Sequence, residues 1–226
     1  MLVRMEGVGY RYRDWPALEG VSMTLDDGEF LVVSGPSGAG KTTLLRLIWM
    51  DVSPQTGSLE VAGYRADAIT RRELPRLRRK LGIVFQDFRL LPDRTVFDNV
   101  ALPLQVTGTS SRMIRRRVFE LLAEMGLSHR RISYPHELSG GEQQRIAIAR
   151  AMVAHPKILL ADEPTGNLDP GVSKMIVELL MEINHGGTAV IMATHDPRQI
   201  PEGTARMLFL DRGRLRDPGY WPELGR

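Results

Sequence analysis

Residues 30–50 read FLVVSGPSGAGKTTLLRLIWM: an apolar run, six residues rich in glycine, and a second mostly apolar run. The first run, Phe30–Ser34, is short and apolar and predicts a buried strand. Thr42–Met50 has the apolar spacing of a buried helix, so Gly35–Gly40 is predicted to be the loop between them. A strand, a glycine loop and a helix in this order indicate an α/β unit.

The loop fits a specific phosphate-binding pattern. Gly35–Thr42 matches G-x-x-x-x-G-K-[ST], and the flanking strand and helix are the context that this pattern requires. Glycines let the backbone curl so that N–H groups face phosphate oxygens, and the next helix adds the positive end of its dipole. The alternative is a chance glycine-rich turn. The predicted nucleotide contacts of this segment are Ser37, Gly38, Ala39, Gly40, Lys41, Thr42 and Thr43.

Three side chains that follow the glycines have separate expected roles. Lys41 would place a positive charge beside the β- and γ-phosphates of ATP. The Thr42 hydroxyl would be a ligand of Mg²⁺, which otherwise takes oxygens from phosphates and water. Thr43 would cap the same helical turn.

A second apolar strand ends in two acids. Ile158–Ala161 is followed directly by Asp162 and Glu163, and carboxylates at the end of a buried strand are costly to desolvate unless a cation is near. Asp162 would hold Mg²⁺ through its water shell, whereas Glu163 would orient or deprotonate the water that attacks the γ-phosphate. The alternative is that the two acids cap the turn before Pro164.

Helices and strands alternate in most of the remaining chain, which predicts a parallel sheet covered on both faces. Residues 87–150 differ, because they are mostly helical in pattern. There Thr95 is a candidate helix cap, and residues 114–125 place apolar side chains at a period of 3.6. The chain ends in a predicted hairpin, Met207–Leu210 and Arg214–Arg216.

Composition limits the class of protein. The net charge is +3, cysteine is absent, and no apolar run approaches the about 20 residues that span a bilayer. We therefore expect a cytoplasmic protein without disulfides. Two basic runs, 71–80 and 112–117, have two interpretations: solvated helical faces, or attraction to an anionic membrane surface.

A second motif stands at the start of another predicted helix, Glu142–Met152. Leu138–Arg145 reads LSGGEQQR, and a serine with two glycines at a helix start forms a second anion-binding site. One protein has no use for two such sites on the same phosphate unless the second serves another molecule. The stretch resembles the LSGGQ signature of the ABC ATPase family, with Glu142 in the place where glutamine is commonest.

The resemblance implies an ATP-dependent homodimer. Ser139, Gly140 and Gly141 of one subunit would close over the γ-phosphate that the other subunit binds. The implied cofactors are ATP and Mg²⁺, and the implied reaction is ATP hydrolysis. The implied fold is one ABC ATPase domain over residues 1–226: a P-loop α/β core with an N-terminal antiparallel β-subdomain (1–86 and 151–226) and an inserted helical subdomain (87–150).

Further positions match the family one by one. Tyr12 matches the aromatic residue that stacks on adenine, with Tyr10 as its rival on the same strand. Gln86 matches the glutamine that links the metal and the water to the membrane partner. Residues 167–169, which end in Asp169, match the D-loop of the family, and His195 matches the histidine that contacts the γ-phosphate. The implied catalytic set is Glu163, His195, Gln86 and Lys41; the implied metal ligands are Thr42, Gln86 and Asp162.

Two longer stretches, Asp162–Asp169 and Gln86–Val100, resemble the cell-division ATPases of the FtsE family. This resemblance implies an integral membrane partner of the FtsX-like permease type, and a location on the inner face of the cell membrane through that partner. One alternative is the motor subunit of a lipoprotein-releasing or macrolide-type exporter. Another is a DNA-associated ABC ATPase. We expect no nucleic acid partner, because the chain between Lys41 and Ser139 has no room for a long coiled coil.

Overall fold

The computed structural model describes residues 1–216, and the C-terminal tail from Asp217 to Arg226 lies outside the described residues. A four-stranded antiparallel sheet has the order β2-β1-β4-β5. Its strands are β1 (Val3–Tyr12), β2 (Trp15–Leu25), β4 (Thr56–Val61) and β5 (Tyr64–Arg65). The predicted N-terminal antiparallel sheet is confirmed.

A six-stranded sheet forms the centre, in the order β10-β9-β3-β8-β7-β6. All its neighbouring strands are parallel except the β9–β10 hairpin. The strands are β3 (Phe30–Ser34), β6 (Leu81–Val84), β7 (Ile158–Asp162), β8 (Ala189–Thr194), β9 (Arg206–Asp211) and β10 (Arg214–Arg216). Strands β3, β7 and β8 are buried along their whole length, as the apolar runs predicted.

Six α-helices lie in residues 1–216. They are α1 (Lys41–Ile48), α2 (Leu74–Arg78), α3 (Val96–Val106), α4 (Ser111–Glu124), α5 (Gly140–Met152) and α6 (Pro170–His185). Short 3-10 turns cover Ser128–Arg130, Pro135–Glu137 and Pro197–Gln199. None of the helices in this part of the chain is both long and apolar enough to cross a membrane.

The sequence predicted the N-terminal cap of α3 correctly and that of α1 incorrectly. Thr95 caps α3 as predicted, because its Oγ1 accepts a hydrogen bond of 3.1 Å from the Asp98 N–H. The predicted capping role of Thr43 is wrong. Gly40 is the N-cap of α1, and no side chain caps that helix, while Thr43 is buried inside its first turn.

Two hydrophobic clusters cover the two faces of the central sheet. Successive strand residues point to opposite faces, so Leu31 and Val33 lie in one cluster and Phe30 and Val32 in the other. The second cluster also contains the apolar face of α4, which is buried as its period predicted: Ile114, Val118, Leu121, Leu122 and Met125. The helices of residues 96–152 therefore share a core with the sheet, and a separate helical subdomain at 87–150 stays a prediction.

The two basic runs are largely exposed. Arg116 makes an i, i+4 ion pair of 2.8 Å with Glu120 on the surface of α4, and Lys80 covers the ring of Tyr64. The exposed arginines of the runs are Arg71, Arg72, Arg76, Arg78, Arg79, Arg112, Arg115 and Arg116. Solvated faces and attraction to an anionic membrane surface both remain compatible with this exposure.

Candidate active site

The phosphate loop depends on glycine at two close backbone approaches. A Cβ on Gly35 would lie 2.0 Å from the carbonyl oxygen of Leu210 on β9. A Cβ on Gly40, where φ is +109°, would lie 2.5 Å from the carbonyl oxygen of Ala17 on β2. Both sheets therefore press on the loop, and only glycine fits these two positions.

Lys41 is buried and joins the loop to the acidic strand end. Its Nζ donates to the carbonyl oxygens of Gly35 at 2.7 Å and Pro36 at 3.2 Å. The same atom lies 3.1 Å from Oε1 of Glu163, which follows β7. The predicted loop and Glu163, the second acid of the predicted pair, thus meet at the Lys41 ammonium group.

Glu163 also contacts the end of the neighbouring strand. Its Oε2 accepts from the backbone N–H of His195 at 3.2 Å and lies 2.8 Å from His195 Nδ1. The Glu163 N–H donates to Ala193 on β8 at 2.9 Å. The φ of Glu163 is +47°, which is costly for a residue with a side chain and is typical of a functional turn. Three residues from different motifs, Lys41, Glu163 and His195, form one cluster.

Thr42 and Asp162 supply oxygen atoms beside this cluster. Thr42 Oγ1 donates to Asp162 Oδ1 at 3.2 Å. Burial raises the pKa of the Asp162 carboxyl, and the hydrogen bond from Thr42 acts in the opposite direction. Magnesium bound with a nucleotide usually takes one or two protein oxygens and the rest from phosphate and water. A hydroxyl and a buried carboxylate fit that donor set, although residues 1–216 hold no group of three or more carboxylate or histidine side chains arranged for a metal.

Gln86 lies just past β6, against the segment that follows Glu163. A Cβ on Gly166 would lie 3.1 Å from Gln86 Nε2. Asn167 Nδ2 donates to the Gln86 carbonyl oxygen at 3.4 Å. The structure therefore brings Gln86 to the turn that carries the predicted catalytic acid, while its own contact with a metal or water stays a prediction.

Tyr12 stands at the end of β1, with an exposed ring. Its hydroxyl accepts from Arg46 Nη1 at 2.8 Å, and its ring meets Tyr10 edge-on at 4.9 Å. Tyr10 packs against the core, so Tyr12 is the freer of the two for stacking on a base. Trp15, paired with Tyr12 across the hairpin, is 71% exposed and is an aromatic candidate that sequence analysis missed.

Ser139 begins α5 in a reciprocal capping box. Its Oγ accepts from the Glu142 N–H at 3.3 Å, and Glu142 Oε2 accepts from the Ser139 N–H at 2.8 Å. Glu142 also pairs with Arg130 at 2.9 Å, and the Ser139 N–H is the main reason that the pKa of Glu142 falls to about 2. Because this position holds glutamate instead of glutamine, the N-terminal cap of α5 is charged and forms an ion pair with Arg130.

The two signature glycines pack against the D-loop and α6. A Cβ on Gly141 would lie 2.6 Å from Val172 Cγ1, and one on Gly140 would lie 3.2 Å from Leu168 Cδ2. Asp169 caps α6, since its Oδ1 accepts from the N–H groups of residues 171 and 172 at 3.1 Å. An aspartate directly before Pro170 is a recognisable helix start that sequence analysis did not use. Its nucleotide contact stays a prediction.

We expect Glu142→Gln to lower stability in a pH-dependent way. The lowered pKa means that the charged carboxylate stabilises the fold above about pH 4.5, and that this contribution disappears as pH falls towards 2. A contribution of about 1 kcal/mol corresponds to a Tm lower by about 2–4 °C at pH 7 in a chain of this size. Urea unfolding at several pH values measures the difference. If the difference in unfolding free energy between the two proteins stays constant from pH 7 to pH 3, the charged Glu142 carboxylate is not its source.

Two side chains of α5, one buried and one half-buried, were missed because their partners are distant in sequence. Gln144 is fully buried, and its Nε2 donates to the Pro164 carbonyl oxygen at 2.7 Å, one residue after Glu163. Arg150 donates to the carbonyl oxygens of Phe88 and Arg89, just after Gln86. The signature helix is thus bonded to both segments that carry predicted catalytic residues.

Comparison with known proteins gives three kinds of similarity. Residues 18–166 match the family model described as ABC transporter. The cell division ATP-binding proteins FtsE of Streptococcus pneumoniae serotype 2 and Escherichia coli K12 are each 47% identical over 215 residues, which covers 95% of this chain and 94% and 97% of those proteins. A solved structure, the dimeric post-hydrolysis state of the ATP-binding cassette MJ0796 bound to ADP and Pi, is 34% identical, with a TM-score of 0.85, and the match covers 96% of this chain and 97% of that one.

Proposed function

Because the chain belongs to the ABC transporter family and hydrolyses ATP, we propose that it is the ATPase subunit of a membrane complex that acts in cell division. The observation that carries the catalytic part is the single cluster of Lys41, Glu163 and His195 at the ends of neighbouring strands. The cell-division part rests on the FtsE relatives, whose length this chain nearly matches.

In the proposed reaction, the phosphate loop holds ATP, and Lys41 turns from Gly35 and Glu163 to the β- and γ-phosphates. Glu163 orients a water molecule and accepts its proton as the water oxygen bonds to the γ-phosphorus. The bond from that phosphorus to the β–γ bridging oxygen breaks, which leaves ADP and phosphate. His195 holds Glu163 and contacts the γ-phosphate.

The residues proposed to hold Mg²⁺ are Thr42, Asp162 and Gln86. When bound, Mg²⁺ would neutralise part of the charge that develops on the phosphate oxygens. The support in the chain is the oxygen pair of Thr42 and Asp162, already 3.2 Å apart. Gln86 lies against the turn that follows Asp162 and Glu163. Its side chain is close to Gly166, and its carbonyl oxygen accepts from Asn167 Nδ2.

We propose a head-to-tail homodimer with two shared ATP sites. Ser139, Gly140 and Gly141 of one subunit would cover the γ-phosphate held by the other, with Asp169 nearby. Within one chain these glycines pack on Leu168 and Val172. The exposed Ser139 N-terminal end of α5 is thereby available to a second molecule. The similar MJ0796 cassette is described as dimeric.

The proposed partner is an integral membrane protein of the FtsX-like type, which would hold this chain on the inner face of the cell membrane. Its docking surface would include residues 87–99. Asn99, fully buried, fixes part of that segment: its Oδ1 accepts from the Leu91 N–H at 2.8 Å, and its Nδ2 donates to the carbonyl oxygens of Leu91, Arg94 and Thr95. Because these hydrogen bonds fix the backbone of the segment, its surface is already formed before a partner binds.

Purification from native membranes tests this proposal. The tagged full chain, extracted with mild detergent, should retain one integral membrane protein in stoichiometric amount, and depletion of the chain should impair division. The chain carrying Asn99→Ala should lose that protein while still binding ATP. A partner that brings a lipoprotein or a macrolide with it would favour the exporter alternative. Salt-sensitive retention of DNA without a membrane protein would favour the DNA-associated alternative.

A further inference from the structure

Arg150 makes a two-point contact with the loop after Gln86. It lies in the last turn of α5, the helix that Ser139 begins. Its Nη2 donates to the Phe88 carbonyl oxygen at 2.7 Å, and its Nη1 donates to the Arg89 carbonyl oxygen at 2.5 Å. The planar guanidinium offers paired donors at a fixed spacing, which a lysine ammonium cannot reproduce.

The loop that Arg150 holds is strained. Phe88 and Arg89 have φ values of +57° and +47°, in the left-handed region that costs a residue with a side chain about 1–2 kcal/mol. The guanidinium of Arg89 lies over the ring of Phe85, 3.9 Å from its centroid. Two consecutive strained residues need an external contact to persist, and Arg150 supplies two hydrogen bonds to their carbonyl groups.

Arg150 gains its contacts at an electrostatic cost. Burial lowers the pKa of its guanidinium, and no carboxylate within residues 1–216 raises it in compensation. A half-buried cation that is balanced only by carbonyl dipoles is an expensive way to join two segments. Two apolar side chains would join the two segments at a lower desolvation cost. The contact is therefore expected to serve a purpose other than stability.

We propose that Arg150 is a positioning residue that fixes Gln86 by clamping the loop 86–89 to the signature helix. This inference rests on the proposed catalytic role of Gln86. Asn167 holds the Gln86 carbonyl oxygen from the other side, so the loop is bonded to the D-loop and to α5 at once. When Ser139 engages a partner's γ-phosphate, any movement of α5 would reach Gln86 through Arg150.

A double-mutant cycle with Gln86→Ala and Arg150→Met separates positioning from general stabilisation. We expect Arg150→Met to lower kcat by about 10- to 100-fold, because small misplacements of catalytic groups are that costly, and to leave the Kd for ADP within about twofold. If Arg150 acts through Gln86, the double variant has the kcat of Gln86→Ala alone. Arg150→Lys keeps the positive charge and should recover part of the rate, which preserves the test if the methionine variant folds poorly.

The matched control is Arg116→Met, the same change at an exposed ion pair on α4, which should leave kcat and Tm unchanged. Multiplicative losses in the double variant, or a normal kcat in Arg150→Met, would overturn the inference. A normal kcat in Gln86→Ala would instead remove the proposed role of Gln86, and the inference with it. A reduced kcat in Gln86→Ala beside a normal kcat in Arg150→Met would remove the inference alone.

Discussion

Glu163→Gln is expected to slow steady-state ATP hydrolysis by about 10²- to 10⁴-fold, the range of a lost general base, while ATP still binds. The amide keeps the volume of the carboxylate and one acceptor for the His195 N–H, which Glu163 Oε2 now accepts at 3.2 Å. It cannot accept a proton from water. The substitution also removes the 3.1 Å ion pair between Glu163 and Lys41. Phosphate would compete with Glu163 for the Lys41 ammonium group, so ADP affinity should rise.

Phosphate release and equilibrium binding of ADP measure these two effects separately. Glu178→Gln, the same change on the exposed face of α6, is the matched control and should alter neither. Near-normal turnover in Glu163→Gln would remove Glu163 from the catalytic role. A lower turnover with unchanged ADP affinity would keep that role but remove the competition between Glu163 and phosphate for Lys41.

The same variant allows a direct test of the head-to-tail dimer. The chain has no cysteine, so Ser37→Cys and Ser139→Cys introduce the only two thiols. In the Glu163→Gln background, a short bis-maleimide should join two chains through these residues when ATP is present and leave them single without it. Lys174→Cys in place of Ser139→Cys is the control. Failure to join chains with ATP would contradict the shared site.

Local motifs account for most of the fold and much of the site. The strand, loop and helix of residues 30–50 predicted a phosphate site because each step is encoded within a few residues. The acids after β7 were predicted for the same reason. The contacts of Glu163 with Lys41 and of Asp162 with Thr42 follow from the rule that parallel strands end at the same edge of a sheet.

What the sequence left unpredicted depends on distant pairs or on backbone shape. Arg150 contacts carbonyl groups 61 and 62 residues away in the chain, and no local pattern marks such a partner. The left-handed φ of Glu163 is marked by no pattern in the sequence, since most residues with a side chain avoid that region. The pairing of β9 alongside β3 likewise follows from the whole sheet and from no single segment.

Lys41→Ala is expected to weaken ATP binding by at least about 100-fold. A hydrogen bond to a charged group contributes about 1.5–3 kcal/mol, and Lys41 would make such bonds to two phosphates. The loss should be large for ATP and ADP and small for AMP, because Lys41 would contact two phosphates of ATP, one of ADP and none of AMP. Calorimetric titration with the three nucleotides, or competition against a fluorescent ATP analogue, measures this ordering.

The substitution also changes the nucleotide-free protein, and the control must account for that. Lys41 is 6% exposed and donates to the carbonyl oxygens of Gly35 and Pro36. Its removal takes a hydrogen-bond donor from the buried Gly35 carbonyl group, whereas the Pro36 carbonyl oxygen keeps the N–H of Ala39. Lys41→Met preserves most of the volume, and a Tm measured beside each titration separates unfolding from lost affinity. Lys174→Ala, an exposed lysine on α6, should bind all three nucleotides normally. Equal weakening of ATP and AMP in a folded Lys41→Met chain would show that Lys41 does not contact the terminal phosphates, and the phosphate loop would lose its central role.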